Sequence, residues 1–154
     1  MGYCMSQDDV SFRIKRENIP AALEAIKALI SRCEIDEESG ARMQTFSWVD
    51  NAFADAETLE RALRWWRWES ECNPGGDVVY VRFLGEKLGD DSLLFEAIAP
   101  FVEHRSYIEM VGEDNARWRW LFWRGELREE VPTILWEYES RTDVQDLMED
   151  VNLE

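Results

Sequence analysis

The chain contains one histidine, His104, which is the first residue to consider for chemistry. Its neighbour Glu103 could pair with the imidazole, which titrates near neutral pH, and such a pair can transfer protons. Adjacent residues seldom point at the same substrate atom, however, and no second histidine is available for a metal site. We therefore expect His104 to be a solvent-facing loop residue, with an acid–base role as the alternative.

Three carboxylates follow closely, at Glu109, Glu113 and Asp114. On a strand, Glu109 would share a face with Val111, and a buried carboxylate there would be a catalytic or cation-binding candidate. With 33 carboxylates in the chain, however, some close pairs arise by chance. We therefore expect no catalytic residue and no metal site in this group.

Two segments interleave tryptophan with arginine: residues 64–68 (RWWRW) and residues 117–123 (RWRWLFW). Such a pattern can stack nucleobases, as in proteins that bind single strands. The surrounding negative charge would repel phosphates, so we expect an ordinary amphipathic strand. In that strand Trp118, Trp120 and Phe122 point inward and the arginines pair with carboxylates on neighbouring strands. The alternative is a cleft, lined by both segments, that binds a small aromatic ligand.

The composition limits the classes of partner. With 33 acidic and 17 basic residues, the chain has a formal net charge of −16. Nucleic acids and anionic membranes are bound largely through Lys and Arg, so we expect neither as a direct partner. The same charge favours fast association with a basic protein. Because the chain has eight tryptophans and 45% hydrophobic residues, we expect it to fold despite this charge.

Other features indicate the compartment and the absence of cofactor motifs. The three cysteines lack CxxC or Cys/His spacing, so we expect no zinc site. No phosphate loop, dinucleotide fingerprint or nucleophile elbow occurs, so we expect no cofactor and no enzymatic activity. The sequence has no signal-peptide pattern and no apolar run near the roughly 18 residues that a membrane helix needs. We expect a cytoplasmic protein with free thiols.

Hydrophobic spacing predicts an α+β fold, with a mostly antiparallel sheet and helices packed on one face. We expect one domain over residues 1–154, with residues 1–9 disordered and residues 138–154 as an acidic C-terminal extension. The predicted strands cover residues 10–15, 45–49, 77–84, 106–111, 117–123 and 127–137, with another that begins near Trp66. The predicted helices run from Ile19 to before Glu37, from a cap at Asp55 to about Trp65, from Gly89 to about Phe101, and over residues 143–152.

Negative charge is concentrated at the C-terminal end of the chain. Residues 126–154 hold ten carboxylates and two arginines, a net charge of −8 and half of the total. A short amphipathic helix is predicted there, with Thr142 as its N-cap and one apolar face. So short a helix must pack on its own domain, on a partner or on a second copy in a homodimer. The candidate interface residues are Val144, Leu147, Met148 and Val151.

The central part of the chain resembles a family of small acidic bacterial and phage proteins. The resemblance covers residues 85–137, and its most similar segments are GEKLGD (85–90), LFEAIAPFV (94–102), SYIEM (106–110), GED (112–114) and RWRW (117–120). That family has no assigned activity, so no residue role carries over. The resemblance implies a small cytoplasmic protein, often associated with mobile elements. From Tyr138 onward the chain departs from the family's pattern.

These observations predict a non-catalytic acidic interaction protein. It would be a mobile-element inhibitor or decoy that occupies a basic, nucleic-acid-binding surface of its target, such as an anti-CRISPR or other anti-defence protein. A toxin-neutralising immunity protein fits the same physics. The alternatives are acidity that serves solubility alone and a small-ligand-binding protein or enzyme with a Trp/Arg-lined pocket. The candidate partner-binding residues are Glu126, Glu129, Glu130, Glu137, Glu139, Asp143, Asp146, Glu149 and Asp150.

Overall fold

A computed structural model describes residues 2–138 of the chain. Short 3₁₀ turns at Arg16–Asn18, Leu29–Arg32, Asn51–Asp55 and Ala99–Phe101 separate or extend the regular elements. Within the described range, these elements are strand β1 (Met5–Ser11), helix α1 (Ile19–Ala28), helix α2 (Leu59–Trp65), strand β2 (Trp68–Cys72), strand β3 (Val78–Phe83), helix α3 (Asp91–Ile98), strand β4 (Tyr107–Gly112), strand β5 (Arg117–Trp123) and strand β6 (Glu126–Glu130).

The strands form a four-stranded antiparallel sheet in the order β1-β4-β5-β6 and a separate β2–β3 hairpin. Strands β5 and β6 are joined by Arg124 and Gly125, with φ values of 50° and 82°. Two left-handed residues at a two-residue connection are typical of a type I′ hairpin turn. This turn sets the register in which Trp123 lies opposite Glu126 and Leu121 opposite Arg128.

The core lies on one face of the four-stranded sheet, where helix α3 packs. Trp120 and Phe122 of β5 are fully buried, and both rings contact Phe95 of α3, with centroids 5.2 and 5.9 Å apart. The indole N–H of Trp120 donates to Ser92 Oγ on the same helix at 3.3 Å. The α+β prediction with helices on one face of an antiparallel sheet is therefore confirmed, and the opposite face carries the half-buried Tyr107, Glu109 and Leu121.

The side chain of Gln7 connects the two sheets. Its Nε2 donates to the Val81 carbonyl at 2.9 Å, and its Oε1 accepts from the Phe83 N–H at 2.7 Å. Three residues after the end of β1, Ile14 exchanges two backbone hydrogen bonds of 2.9 Å with Val78 of β3. The N-terminal segment therefore pairs first with β4 and then with β3.

Several predicted boundaries were wrong. Residues 5–9, expected to be disordered, belong to β1, because Met5 is buried and the segment pairs with β4. The strand predicted over residues 10–15 ends at Ser11, although Phe12 and Ile14 are buried as its alternation required. The strand predicted over residues 127–137 ends at Glu130, two residues before Pro132, which has no N–H for a sheet ladder.

Two further predictions failed in the segment before α2. Residues 45–49 are not a strand, because Trp48 adopts a left-handed φ of 67° and the Ser47 N–H is bonded to Asp90 Oδ2 at 2.7 Å. Asp55 is not the cap of α2 and instead ends the preceding 3₁₀ turn. The N-cap is Thr58, whose hydroxyl accepts a hydrogen bond from the Arg61 N–H at 3.2 Å.

Candidate functional site

His104 lies in the loop before β4 and is exposed. Its Nδ1 accepts a hydrogen bond from the Arg124 N–H at 3.0 Å, and its ring packs edge-on against Trp123 with centroids 4.4 Å apart. The Glu103 carboxylate turns to a different partner, with Oε2 3.4 Å from Nε of Arg13. Glu103 and His104 therefore do not form the acid–base pair considered from the sequence, and His104 helps to close the β5–β6 turn.

The carboxylates at 109, 113 and 114 do not converge. Glu109 shares a face of β4 with Val111, as predicted, but this face is away from the core and opposite Arg119. Asp114 lies in the following turn and accepts a hydrogen bond from the Tyr3 hydroxyl. That bond lowers the pKa of Asp114 and, with a smaller contribution from desolvation, raises the pKa of Tyr3 to about 12. Asp114 therefore anchors the N-terminal segment.

A cavity of about 300 Å³ lies beside strands β4, β5 and β6, lined by Glu109, Arg117, Trp118, Arg119 and Glu130. Most of its charges are already neutralised. Arg119 binds Glu130 through Nε and Nη2, at 3.0 and 2.8 Å, and Arg117 binds Asp8 at 2.5 Å. The predicted pairing with a carboxylate on a neighbouring strand is confirmed for Arg119, whereas Arg117 reaches past β4 to Asp8 of β1. Residues 64–68 do not line this cavity, so the two Trp/Arg segments do not form one cleft.

Two of the three tryptophans in the first Trp/Arg segment belong to the core, whereas Trp65 is 42% exposed. Trp66 and Trp68 are fully buried, and the Trp68 indole N–H donates to Asp91 Oδ1 at 2.9 Å. The guanidinium of Arg67 donates to Asp91 Oδ2 at 2.9 Å and to the Lys87 carbonyl at 2.5 Å. The Gly89 N–H donates the third of these hydrogen bonds to the Asp91 carboxylate, to Oδ2 at 3.0 Å. The Trp66 and Trp68 rings are therefore unavailable for stacking with nucleobases.

The second segment ends in a cluster that sequence reasoning missed. Three arginine guanidinium groups surround the Trp123 ring, at 5.3 Å for Arg128 and 5.8 Å for both Arg105 and Arg124. We call this cluster the Trp123 patch: His104, Arg105, Trp123, Arg124 and Arg128. Trp123, Arg124 and Arg128 lie in one hairpin, whereas His104 and Arg105 lie in the loop before β4, and no spacing in the sequence links that loop to the hairpin. The turn at Arg124–Gly125 and the β5–β6 register bring them together.

The predicted partner-binding carboxylates divide into two groups. Within the described range, Glu126, Glu129 and Glu137 are exposed, whereas Glu130 is half-buried and engaged by Arg119. The remaining candidates, Glu139, Asp143, Asp146, Glu149 and Asp150, lie outside the described residues. So do all four apolar interface candidates, which are Val144, Leu147, Met148 and Val151, and the predicted C-terminal helix.

A second feature that the sequence reading missed lies after β6. Residues 131–138, called here the 131–138 segment, contain no regular structure. We expected this stretch to continue a strand, which would have covered alternate side chains. Five large apolar side chains are instead left in solvent: Val131 (76% exposed), Ile134 (78%), Leu135 (75%), Trp136 (91%) and Tyr138 (85%). The run VPTILW was a usable signal, because Pro132 separates it from β6.

Other classes of site receive no structural support in the described part of the chain. Over residues 2–138, no group of three or more His, Cys, Asp or Glu side chains is placed to hold a metal ion. No helix in that range is long and apolar enough to cross a membrane. The chain matched no protein-family model, no curated protein and no solved structure. The resemblance to small acidic bacterial and phage proteins therefore stays a prediction.

Proposed function

We propose that this chain is a non-catalytic interaction protein that binds a basic surface of a partner protein through its C-terminal part. The observation that carries the proposal is the exposure of the 131–138 segment, in which five large apolar side chains are at least three-quarters exposed. Contiguous exposed apolar surface in a folded protein commonly marks a protein–protein contact. Trp136 and Tyr138 belong to residue types that often dominate binding energy.

The charge around the 131–138 segment supports a basic partner. The exposed Glu129 lies two residues before the segment, Glu137 lies within it, and Glu126 lies at the start of β6 opposite Trp123. An apolar centre with a polar rim is the usual anatomy of a protein interface. A rim of carboxylates would select a partner with Lys or Arg around an apolar groove, and complementary charge would accelerate the encounter.

The charge of the whole protein acts in the same direction. Residues 139–154 contribute six carboxylates and one arginine, so residues 2–138 retain 27 carboxylates, 16 Lys or Arg and a net charge of −11. A field of this sign attracts basic surfaces and repels nucleic acid. A mobile-element inhibitor that occupies a nucleic-acid-binding surface, such as an anti-defence protein, is the specific form we propose. An immunity protein that neutralises a basic toxin would use the same contacts.

The proposal is tested by affinity capture from host lysate with three variants of the full chain. The apolar variant carries Ile134→Ser, Leu135→Ser and Trp136→Ser, and the charge variant carries Glu126→Gln, Glu129→Gln and Glu137→Gln. A matched control carries Glu24→Gln, Glu37→Gln and Glu96→Gln at exposed positions elsewhere. We expect the wild type and the control to retain one basic protein that both other variants lose.

Competition identifies the surface that is bound. If the partner's nucleic-acid-binding surface is occupied, an excess of duplex DNA should elute the partner from the immobilised chain. Elution should become easier with rising salt, because exposed charges are screened over about 8 Å at physiological ionic strength and about 3 Å at 1 M. The proposal fails if the apolar and charge variants capture the same proteins as the control, or if DNA does not displace the captured protein.

A further inference from the structure

The Trp123 patch is a local concentration of positive charge in a strongly acidic protein. Arg105, Arg124 and Arg128 are exposed, and their guanidinium groups lie 5.3–5.8 Å from the Trp123 ring centroid. Within residues 2–138, none of these three guanidinium groups has a carboxylate within 4.0 Å. Guanidinium groups gathered on one ring repel one another, so this arrangement favours an anionic ligand that offsets the repulsion.

The patch continues onto a strip of half-buried rings and Leu121 on the sheet face that points away from the core, and at its far end the Tyr107 hydroxyl donates to Asp9 Oδ2 at 2.7 Å. Tyr107 lies opposite Leu121, and Leu121 lies opposite Arg128, so these three side chains cross the sheet in one row beside Trp123. Tyr107, Leu121 and Trp123 are only half-buried. A ligand that combined carboxylates with apolar side chains would therefore complete both halves of this surface.

The exposure of the arginines indicates the class of ligand. These guanidinium groups are solvent-facing and spread around a ring, so water and salt screen each of them and a single small anion would be held weakly. A nucleic acid carries a charge at every phosphate and has no aliphatic side chains for the strip, and the surrounding fold has a net charge of −11. One carboxylate, Glu126, faces the patch directly because it pairs with Trp123 in the sheet. The patch therefore suits an acidic peptide, whose charges can be spaced to reach the arginines and avoid Glu126.

We propose that the acidic peptide bound by the Trp123 patch is the C-terminal segment of the same chain, residues 139–154. This segment carries six carboxylates against one arginine, together with the apolar stripe Val144, Leu147, Met148 and Val151. Its carboxylates complement the three arginines, and its stripe complements the strip of Tyr107, Leu121 and Trp123.

The length of the intervening chain permits this contact within one molecule. Glu130 pairs with Arg119, which is four residues before Trp123 on β5, a distance of about 13 Å along the sheet. The eight residues from 131 to 138 can span about 26 Å when extended. The C-terminal segment can therefore reach the patch without a second copy.

This inference does not depend on the proposed function, which uses the 131–138 segment and its flanking carboxylates. Binding of the C-terminal segment to the Trp123 patch would nevertheless affect how the protein binds a basic partner. Carboxylates of residues 139–154 that bind the chain's own arginines are withheld from a basic partner. A basic partner would have to outcompete the Trp123 patch to reach the carboxylates of residues 139–154. The patch would therefore limit unspecific binding of basic proteins by those residues.

The test follows the indole N–H signal of Trp123 by NMR in the full chain, assigned with Trp123→Phe. A tail-neutral variant carries Asp143→Asn, Asp146→Asn, Glu149→Gln and Asp150→Asn. We expect the Trp123 signal of this variant to differ from that of the wild type. Raising salt from about 0.1 M to about 1 M, where the Debye length falls from about 10 Å to about 3 Å, should move the wild-type signal towards the variant's position. The signals of the buried Trp66, Trp68 and Trp120 report that each variant is folded.

A matched control removes the same number of charges elsewhere, through Glu24→Gln, Glu37→Gln, Glu57→Gln and Glu96→Gln. It should leave the Trp123 signal unchanged. If it moves that signal as much as the tail-neutral variant does, the effect is general charge and the proposal is overturned. The proposal is also overturned if wild type and tail-neutral variant give the same Trp123 signal, or if the wild-type position changes on dilution, which would assign the contact to a second copy.

A peptide of residues 139–154 tests recognition directly. Added to the tail-neutral variant, it should restore the wild-type Trp123 signal. Combining Arg105→Glu and Arg128→Glu with the tail-neutral changes should weaken peptide binding by about tenfold, as expected when a few surface ion pairs are lost. A scrambled peptide of the same composition should bind more weakly. Equal binding by the scrambled peptide, or the same shift with inorganic phosphate alone, would show an unspecific anion site and contradict the proposal.

Discussion

Residues 64–68 and strand β5 share an alternation of tryptophan and arginine, yet their arginines occupy different surroundings. Arg67 is only 14% exposed and binds Asp91, whose carboxylate is fully buried. On β5, Arg117 and Arg119 are about half exposed and bind Asp8 and Glu130 at the surface. The same residue types therefore place Arg67 in a buried polar network, whereas Arg64 and the arginines of β5 form surface ion pairs.

The path of the backbone explains the difference. Arg67 follows the end of α2 and adopts a left-handed φ of 73°, which reverses the chain and directs its side chain into the protein. Space for the guanidinium depends on Gly89, where a Cβ would lie 2.8 Å from Arg67 Nη2. Strand β5 has no such reversal, so its side chains alternate between core and solvent. An arginine's role is thus decided by the chain geometry around it.

The comparison is tested most strongly by removing the acidic partner in each segment. We expect Asp91→Ala to reduce the free energy of unfolding by about 3–5 kcal/mol, because it leaves the Arg67 charge buried without a partner. It also removes the acceptor of the Trp68 indole N–H. Urea unfolding followed by far-UV circular dichroism measures the change.

Asp8→Ala is the matched control, because it makes the same chemical change at an exposed Asp–Arg pair. It should cost about 1 kcal/mol or less, the usual range for surface ion pairs. If Asp91→Ala and Asp8→Ala had equal effects, the assignment of Arg67 to a buried network would be wrong.

A fully buried side chain on α3 and a half-buried one on β5 give the second test. Ile98 of α3 is fully buried on the core side, and Ile98→Ala should cost about 2–5 kcal/mol through loss of packing and formation of a cavity. Leu121→Ala, on the opposite and half-buried face, should cost less. The same unfolding assay compares them. A loss below about 1 kcal/mol for Ile98→Ala would contradict the packing of α3 on the sheet.

The sequence predicted those features that depend on local alternation. The inward Trp120 and Phe122 and the outward Arg119, which pairs with Glu130, follow from a period of two residues. Residues that are close together in the sequence are enough to determine these features. The predicted α+β class followed for the same reason.

The parts that could not be predicted depend on contacts between distant segments. Residues 45–49 alternate like a strand, but the Ser47 N–H is bonded to Asp90, 43 residues away. The Arg67–Asp91 network and the Trp123 patch likewise unite stretches that no spacing rule connects. The patch requires the β5–β6 register together with a loop preceding β4. Sequence periodicity carries no information about contacts between segments that are far apart in the chain.

The smallest expected effect concerns pH and Glu69, which ties residues 64–68 to strand β3. Its carboxylate accepts from Arg82 Nε at 2.9 Å and from Arg64 Nη2 at 3.2 Å. The hydrogen bond from Arg82 is the largest cause of a lowered Glu69 pKa, and the nearby positive charges add to it. A lowered pKa in the folded state stabilises the protein above the unfolded value, near 4.3 for Glu, and this contribution is lost as pH falls through the folded value.

Glu69→Gln should therefore lower the Tm at pH 7, and the difference from the wild type should shrink once the pH falls below about 4.3. Thermal unfolding by circular dichroism at several pH values between neutral and strongly acidic measures this convergence. Glu71→Gln on the same strand is the control, because Glu71 is exposed and forms no ion pair within residues 2–138. A Tm difference for Glu69→Gln that stayed constant down to low pH would show that its arginine contacts do not stabilise the fold. Arg67 would then be the arginine of residues 64–68 whose ion pair stabilises the fold more than the surface ion pairs of β5 do.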